Sequence, residues 1–139
     1  MPPNPSLPQG AVFYMVHKDV KSSQPHYLIV LNANAATDKL IVLGVITSQV
    51  DKSKKRAALR GCSPESLVEF SPQDYWPLSK PSLIDCNACV LVRAHGFRQE
   101  AMSGERCANV PAGLLARILE GVRVSKTSDE IKRLLGLLP

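Results

Sequence analysis

The sequence predicts a mainly β fold, a small barrel or sandwich of about five strands with helices packed against it. Three observations carry that prediction. Short runs of β-branched and aromatic residues recur through the first two thirds of the chain. Breaks rich in proline and polar residues separate them. Helical periodicity is confined to the C-terminal end. With 139 residues, 45% of them hydrophobic and 21% charged, the chain fits one globular domain that needs no disulfide or metal to hold its core.

Residues 1–9 read as a disordered tail, because four prolines fix φ and remove backbone donors. Residues 10–139 read as the single domain. The tail has no cation and no apolar run, so it does not resemble a signal peptide, and the expected compartment is the cytoplasm. There the four cysteines are expected to stay reduced. No apolar run approaches the roughly 20 residues of a membrane span.

Gly10 opens the first strand, AVFYMV. A polar loop at 17–24 follows, and Pro25 resets the chain. HYLIVLN is the second strand, so uniformly apolar that it predicts burial on both faces. LIVLGVITS is the third, with Gly44 suggesting a bend. Residues 49–63 show no sustained period and read as a long loop, with at most one helical turn near 57–59. SLVEF is the fourth strand, with Val68 and Phe70 on one face. Residues 71–81 carry Pro72, Pro77 and Pro81 and read as irregular, and SLIDCNACVLV is the fifth strand. Leu114, Leu115, Ile118, Leu119 and Val122 then recur at helical spacing over about 111–123. Ser128, followed by Asp129 and Glu130, is the N-cap signature of a second helix over about 128–138.

Charge is unevenly distributed. The net charge is +5, and Lys52, Lys54, Lys55, Arg56 and Arg60 lie in a segment without an acid. The remainder balances, with 12 cations against 12 acids. This cluster is either a solvated loop or a surface for phosphates, which flexible basic side chains contact without reading sequence. Only 5% of residues are aromatic, leaving little for base stacking.

Cys86 and Cys89 form a C-x-x-C pair, but inside a strand residues three apart point to opposite faces, which argues against a shared metal. Buried small hydrophobes are the better reading, and neither a metal nor another cofactor is expected. His17 ends the first strand and His26 begins the second, so pairing of the strands would bring the two imidazoles together. They are either ordinary strand-end residues or an acid–base pair suited to neutral pH. Thr47 and Ser48 end the third strand beside the basic segment. Their hydroxyls either donate to a phosphate or 2′-oxygen or just terminate the strand.

The succession GAVFYMV, HYLIVLN, LIVLGVITS, SLIDCN and a terminal LLARIL helix resembles the PemK/MazF family of bacterial toxin–antitoxin toxins over roughly residues 10–123. The resemblance implies an SH3-like β-barrel with C-terminal helices and a homodimer. It also implies metal-independent cleavage of single-stranded RNA and control by an antitoxin protein. Thr47 and Ser48 match the family's active-site hydroxyl. Where the family's second strand opens with Arg-Pro, this chain has His26-Tyr27, or Gln24-Pro25 in the shifted register, and Asp85 stands one place before the family's Asp. The residues themselves then suggest the candidate site: His26 or His17 as base or acid, Thr47 or Ser48 donating to the phosphate, and Lys52, Lys54, Lys55, Arg56 and Arg60 on the RNA backbone. The other reading is an SH3-like barrel that binds RNA or a protein partner without cutting.

Overall fold

The computed structural model describes residues 7–20 and 22–138. Among these residues there are seven strands: β1 (Val12–Met15), β2 (His26–Val30), β3 (Leu40–Thr47), β4 (Leu67–Phe70), β5 (Ser82–Asp85), β6 (Val90–Arg93) and β7 (Glu105–Cys107). Four helices accompany them: α1 (Val50–Leu59), α2 (Ala94–Met102), α3 (Ala112–Arg123) and α4 (Asp129–Leu134). The strands form one antiparallel sheet in the order β4-β5-β3-β2-β1-β7, with β6 also on β3. The outer strands β4 and β7 do not pair, so backbone hydrogen bonds leave the barrel open. The expected class, mainly β with C-terminal helices, holds.

Strand alternation explains why the sheet is buried twice. On β2, Ile29 and its successor Leu31 face the cluster formed with Leu114, Ile118 and Val122 of α3 and Ile131 of α4. Leu28 and Val30 face the opposite cluster, with Ala94, Phe97 and Ala101 of α2. β3 repeats the division, Val42 and Ile46 on one side and Ile41 and Leu43 on the other. Period-2 strands that are apolar at every position need cover on both faces, and helices on each side supply it. Each large side chain so buried contributes about 1.5–3 kcal/mol. Ser128 caps α4 as its sequence implies, its Oγ accepting from the Ile131 amide at 3.3 Å.

Several expectations are corrected. Residues 49–63 are not a loop: ten of them form α1. The helix buries just Ser53 and Ala57, one turn apart, so its apolar stripe is too narrow to register as a period. Gly61 ends it in a left-handed conformation (φ 71°), with Cys62 N–H donating to the Ala57 carbonyl and Gly61 N–H to that of Ala58. The fifth strand is two, broken at residues 86–88 by a 3-10 turn that starts where Asp85 Oδ1 accepts from the Asn87 amide at 2.9 Å. Cys86 and Cys89 therefore do not point to opposite faces of one strand. Residues 1–6 of the expected disordered tail lie outside the described residues. Its remainder is anchored: Leu7 is buried and Gln9 Nε2 donates to the Leu31 carbonyl at 3.0 Å. α2 and β7 were not anticipated.

Candidate active site

β3 runs straight into α1, and a cleft of about 880 Å³ opens at that junction. One wall is the segment between β1 and β2. Another is the first two turns of α1. Leu78, Ser79 and Lys80, which lead into β5, form a third. His26, Thr47, Ser48, Lys52 and Arg56 all line this cleft. Residues far apart in sequence meet here because β2 and β3 pair antiparallel, which sets Tyr27 opposite Ile46 and the start of one strand beside the end of the other.

His26 is half-buried, and its Nδ1 lies 3.3 Å from the Ile46 carbonyl oxygen. A carbonyl only accepts, so the proton of the neutral ring sits on Nδ1 and Nε2 carries the lone pair. Thr47 Oγ1 accepts from the Gln49 amide at 3.1 Å, which leaves its own hydroxyl proton available for another acceptor. Ser48 is exposed at the cleft.

Helical geometry sorts the cations. Lys52 and Arg56 are one turn apart and flank the buried Ser53–Ala57 stripe on the cleft side. Lys54 flanks it on the other side and pairs with Glu69 of β4 at 2.9 Å. Lys55 is exposed and away from the cleft lining. Arg60 lies at the helix end, where its carbonyl accepts from Lys126 Nζ at 2.7 Å. Of the five clustered cations, two serve the cleft.

His17 does not join His26. β1 ends at Met15, which is the residue paired with His26, so His17 has already left the sheet. The residue is 3% exposed, and its ring lies near Phe97 of α2. Nδ1 accepts from the Asp19 amide at 3.1 Å, and Nε2 faces Glu100 Oε2 at 3.1 Å. Both nitrogens are engaged, so this imidazole ties the β1–β2 segment to α2.

Beyond the predicted residues the cleft is also lined by Tyr14, Tyr27, Lys80, Asp19 and Asp85, of which the sequence singled out Asp85 alone, and that by resemblance. Tyr14 and Tyr27 are paired across β1 and β2, with ring centroids 4.6 Å apart. The Tyr27 hydroxyl donates to the Pro77 carbonyl at 3.2 Å, and burial, more than the nearby Cys107, Tyr14 and Glu105, raises its pKa. Asp85 Oδ1 accepts from both the backbone and side-chain amides of Asn87, at 2.9 and 2.8 Å. A polar D-C-N step inside an apolar run was the available signal for Asp85. Lys80, in an irregular segment, had none.

Among the described residues, no group of three or more His, Cys, Asp or Glu is placed to hold a metal ion. The Cys86 thiol donates to the Ile118 carbonyl at 3.6 Å and that of Cys89 to the Cys86 carbonyl at 3.5 Å. Burial raises both thiol pKa values, that of Cys89 to about 12.

The chain matches a MazE–MazF complex (form II) from Deinococcus radiodurans with a TM-score of 0.53 and 16% identity, over 99% of this chain and 100% of that one. The fold is MazF-like. No protein-family model matches the sequence, and no curated protein does so significantly. The MazF-like chain has no helix among its described residues long and apolar enough to cross a membrane.

Proposed function

We propose that this protein is a toxin-type endoribonuclease that cuts single-stranded RNA without a metal. The observation that carries the reading is the convergence of His26, Thr47, Lys52 and Arg56 on one cleft at the β3–α1 junction. Cleavage by the neighbouring 2′-hydroxyl needs a base, charge stabilisation at phosphorus and a proton for the leaving 5′-oxygen. His26 Nε2 has the free lone pair of a base, and the imidazolium formed when it takes the 2′-hydroxyl proton returns that proton to the leaving 5′-oxygen. The Thr47 hydroxyl, with its oxygen already accepting, donates to a phosphate oxygen. Lys52, Arg56 and Lys80 place cations around the phosphorane.

A second reading has its own observation in support. The cleft holds one histidine where acid–base catalysis commonly uses two groups, and His26 stands where the resemblance calls for Arg. In that reading the cleft binds RNA, with affinity that falls as salt rises, and does not cut it. A homodimer and an antitoxin partner belong to the first reading, supported by the likeness to a chain from a MazE–MazF complex.

One experiment separates the two. Purified protein is incubated with a long single-stranded RNA in excess chelator, beside the His26→Ala variant prepared identically. Products from the wild type alone support cleavage. Binding without products supports the second reading, and equal cutting by both preparations removes His26 from the chemistry.

A further inference from the structure

Tyr75 and Trp76 are neighbours with opposite placements. Tyr75 is 1% exposed, its hydroxyl donating to the Ala108 carbonyl at 2.5 Å, whereas Trp76 is 76% exposed. The segment that carries them is not slack. Ser71 N–H and Oγ–H both donate to Asp74 Oδ2, at 2.9 and 3.2 Å, and Leu78 N–H donates to the Tyr75 carbonyl at 3.2 Å. An indole is among the largest apolar surfaces a chain can bury, and this one is held out in water by a bonded, proline-bounded turn.

The position is informative. Leu78, Ser79 and Lys80 of the same segment line the cleft. Pro77, next to Trp76, receives the hydroxyl of the cleft residue Tyr27 at 3.2 Å. Trp76 is thus two residues, at most about 7 Å of chain, from the first cleft-lining residue of this wall. An exposed aromatic on a bonded turn, next along the chain to a cleft lined by Lys52, Arg56 and Lys80 against Asp19 and Asp85, has the two parts of a single-strand binding surface: a face for a base and charges for the phosphates.

We propose that Trp76 is a stacking platform for an unpaired base of the RNA strand whose backbone the cleft holds. The proposal rests on the RNA reading above, in either its cutting or its binding form. Every base has a π-face, so this contact adds affinity and orients the strand without selecting a base. Lys80, four residues on and in the cleft lining, neutralises a phosphate of the same strand.

Trp76 is the one tryptophan of the chain, so fluorescence excited at the red edge of the indole band, where the three tyrosines do not absorb, reports on it alone. The titrant is a short single-stranded RNA carrying 2′-O-methyl groups, which removes the attacking hydroxyl. Fluorescence is followed together with anisotropy of an end-labelled copy. The expected result is quenching with the same midpoint as the anisotropy, and none from an abasic strand that still binds. Trp76→Ala weakens binding about tenfold, and Trp76→Phe keeps it within a few-fold. Binding without quenching, or undiminished binding by Trp76→Ala, overturns the platform while leaving the RNA reading in place. No binding by either readout overturns both. Fluorescence that instead changes with protein concentration, in step with sedimentation of a dimer, assigns Trp76 to a contact between two copies and overturns the platform.

Discussion

His26 Nδ1 stands 3.3 Å from the carbonyl oxygen of Ile46, a contact between the first residue of β2 and the penultimate residue of β3. The backbone of one strand thereby chooses which imidazole nitrogen meets the cleft. His26→Ala is expected to lower cleavage of single-stranded RNA by about 10²–10⁴-fold, the usual share of a general base. The unfolding midpoint moves little, because the side chain is half-buried and makes one long bond. His17→Ala gives the opposite pattern. It destabilises the fold, since a buried ring and its contact with Glu100 are lost, yet leaves cleavage within a few-fold at temperatures where the variant is folded. Rate measurements beside thermal melts distinguish the two, and a His17→Ala enzyme that is folded and dead would return His17 to the chemistry.

The cations divide by helix face, and the division is measurable. Each phosphate contact adds about 0.7 to the slope of log affinity against log salt for a single strand. Lys52→Ala with Arg56→Ala is expected to flatten that slope by about 1.4. Lys54→Ala, whose partner is Glu69, leaves it unchanged and costs at most about 1 kcal/mol of stability, as an exposed pair does. Equal flattening by both sets would mean that RNA approaches α1 from its outer side.

How far the sequence foretold the site follows from the same helix. β2 and β3 were legible because an unbroken apolar strand has few alternatives. α4 was legible because Ser128, Asp129 and Glu130 announce a cap. α1 was not, since two small residues one turn apart leave almost no periodic signal. Its composition, rich in Lys, Ala, Arg and Leu, favoured a helix, and Gly61 marked its end. α2 rests on Ala94, Phe97 and Ala101 alone, around a Gly96 that weakens it. β7 is three residues long with an exposed Glu105 and Arg106, so its pairing with β1 defines it. The cluster of five cations was visible as charge. That two of them face the cleft and one faces Glu69 could be read only after the segment was known to be helical.

Gly121 of α3 marks the closest approach of helix to sheet. A Cβ there would lie 2.8 Å from Cys86 Sγ and 2.9 Å from Val68 Cγ2, both on buried residues. Neither is the free end of a flexible chain, so backbone must shift. Gly121→Ala is expected to cost about 1–3 kcal/mol despite the helix propensity gained. Urea unfolding measures this, and a neutral or stabilising result would show that α3 can slide off β4 without penalty.

Alkaline stability should reveal the thiols of buried Cys86 and half-buried Cys89. Burial lifts Cys89 from an ordinary 9.0 to about 12 and moves Cys86 in the same direction. The unfolded chain exposes both thiols, which then ionise near their ordinary value. Between pH 9 and about 12 the unfolded state has shed protons that the folded state keeps, so stability falls as pH rises. Below pH 9 the contribution is present in full. Tyr27 and Tyr75, also raised chiefly by burial, act in the same sense from pH 10 upward. Urea midpoints across pH 7–11 are therefore expected to be level and then decline. In Cys89→Ala the decline is shallower, because one of the groups that ionises only on unfolding is gone. A variant that declines as steeply as the wild type would mean that the Cys89 thiol already reaches solvent in the folded protein.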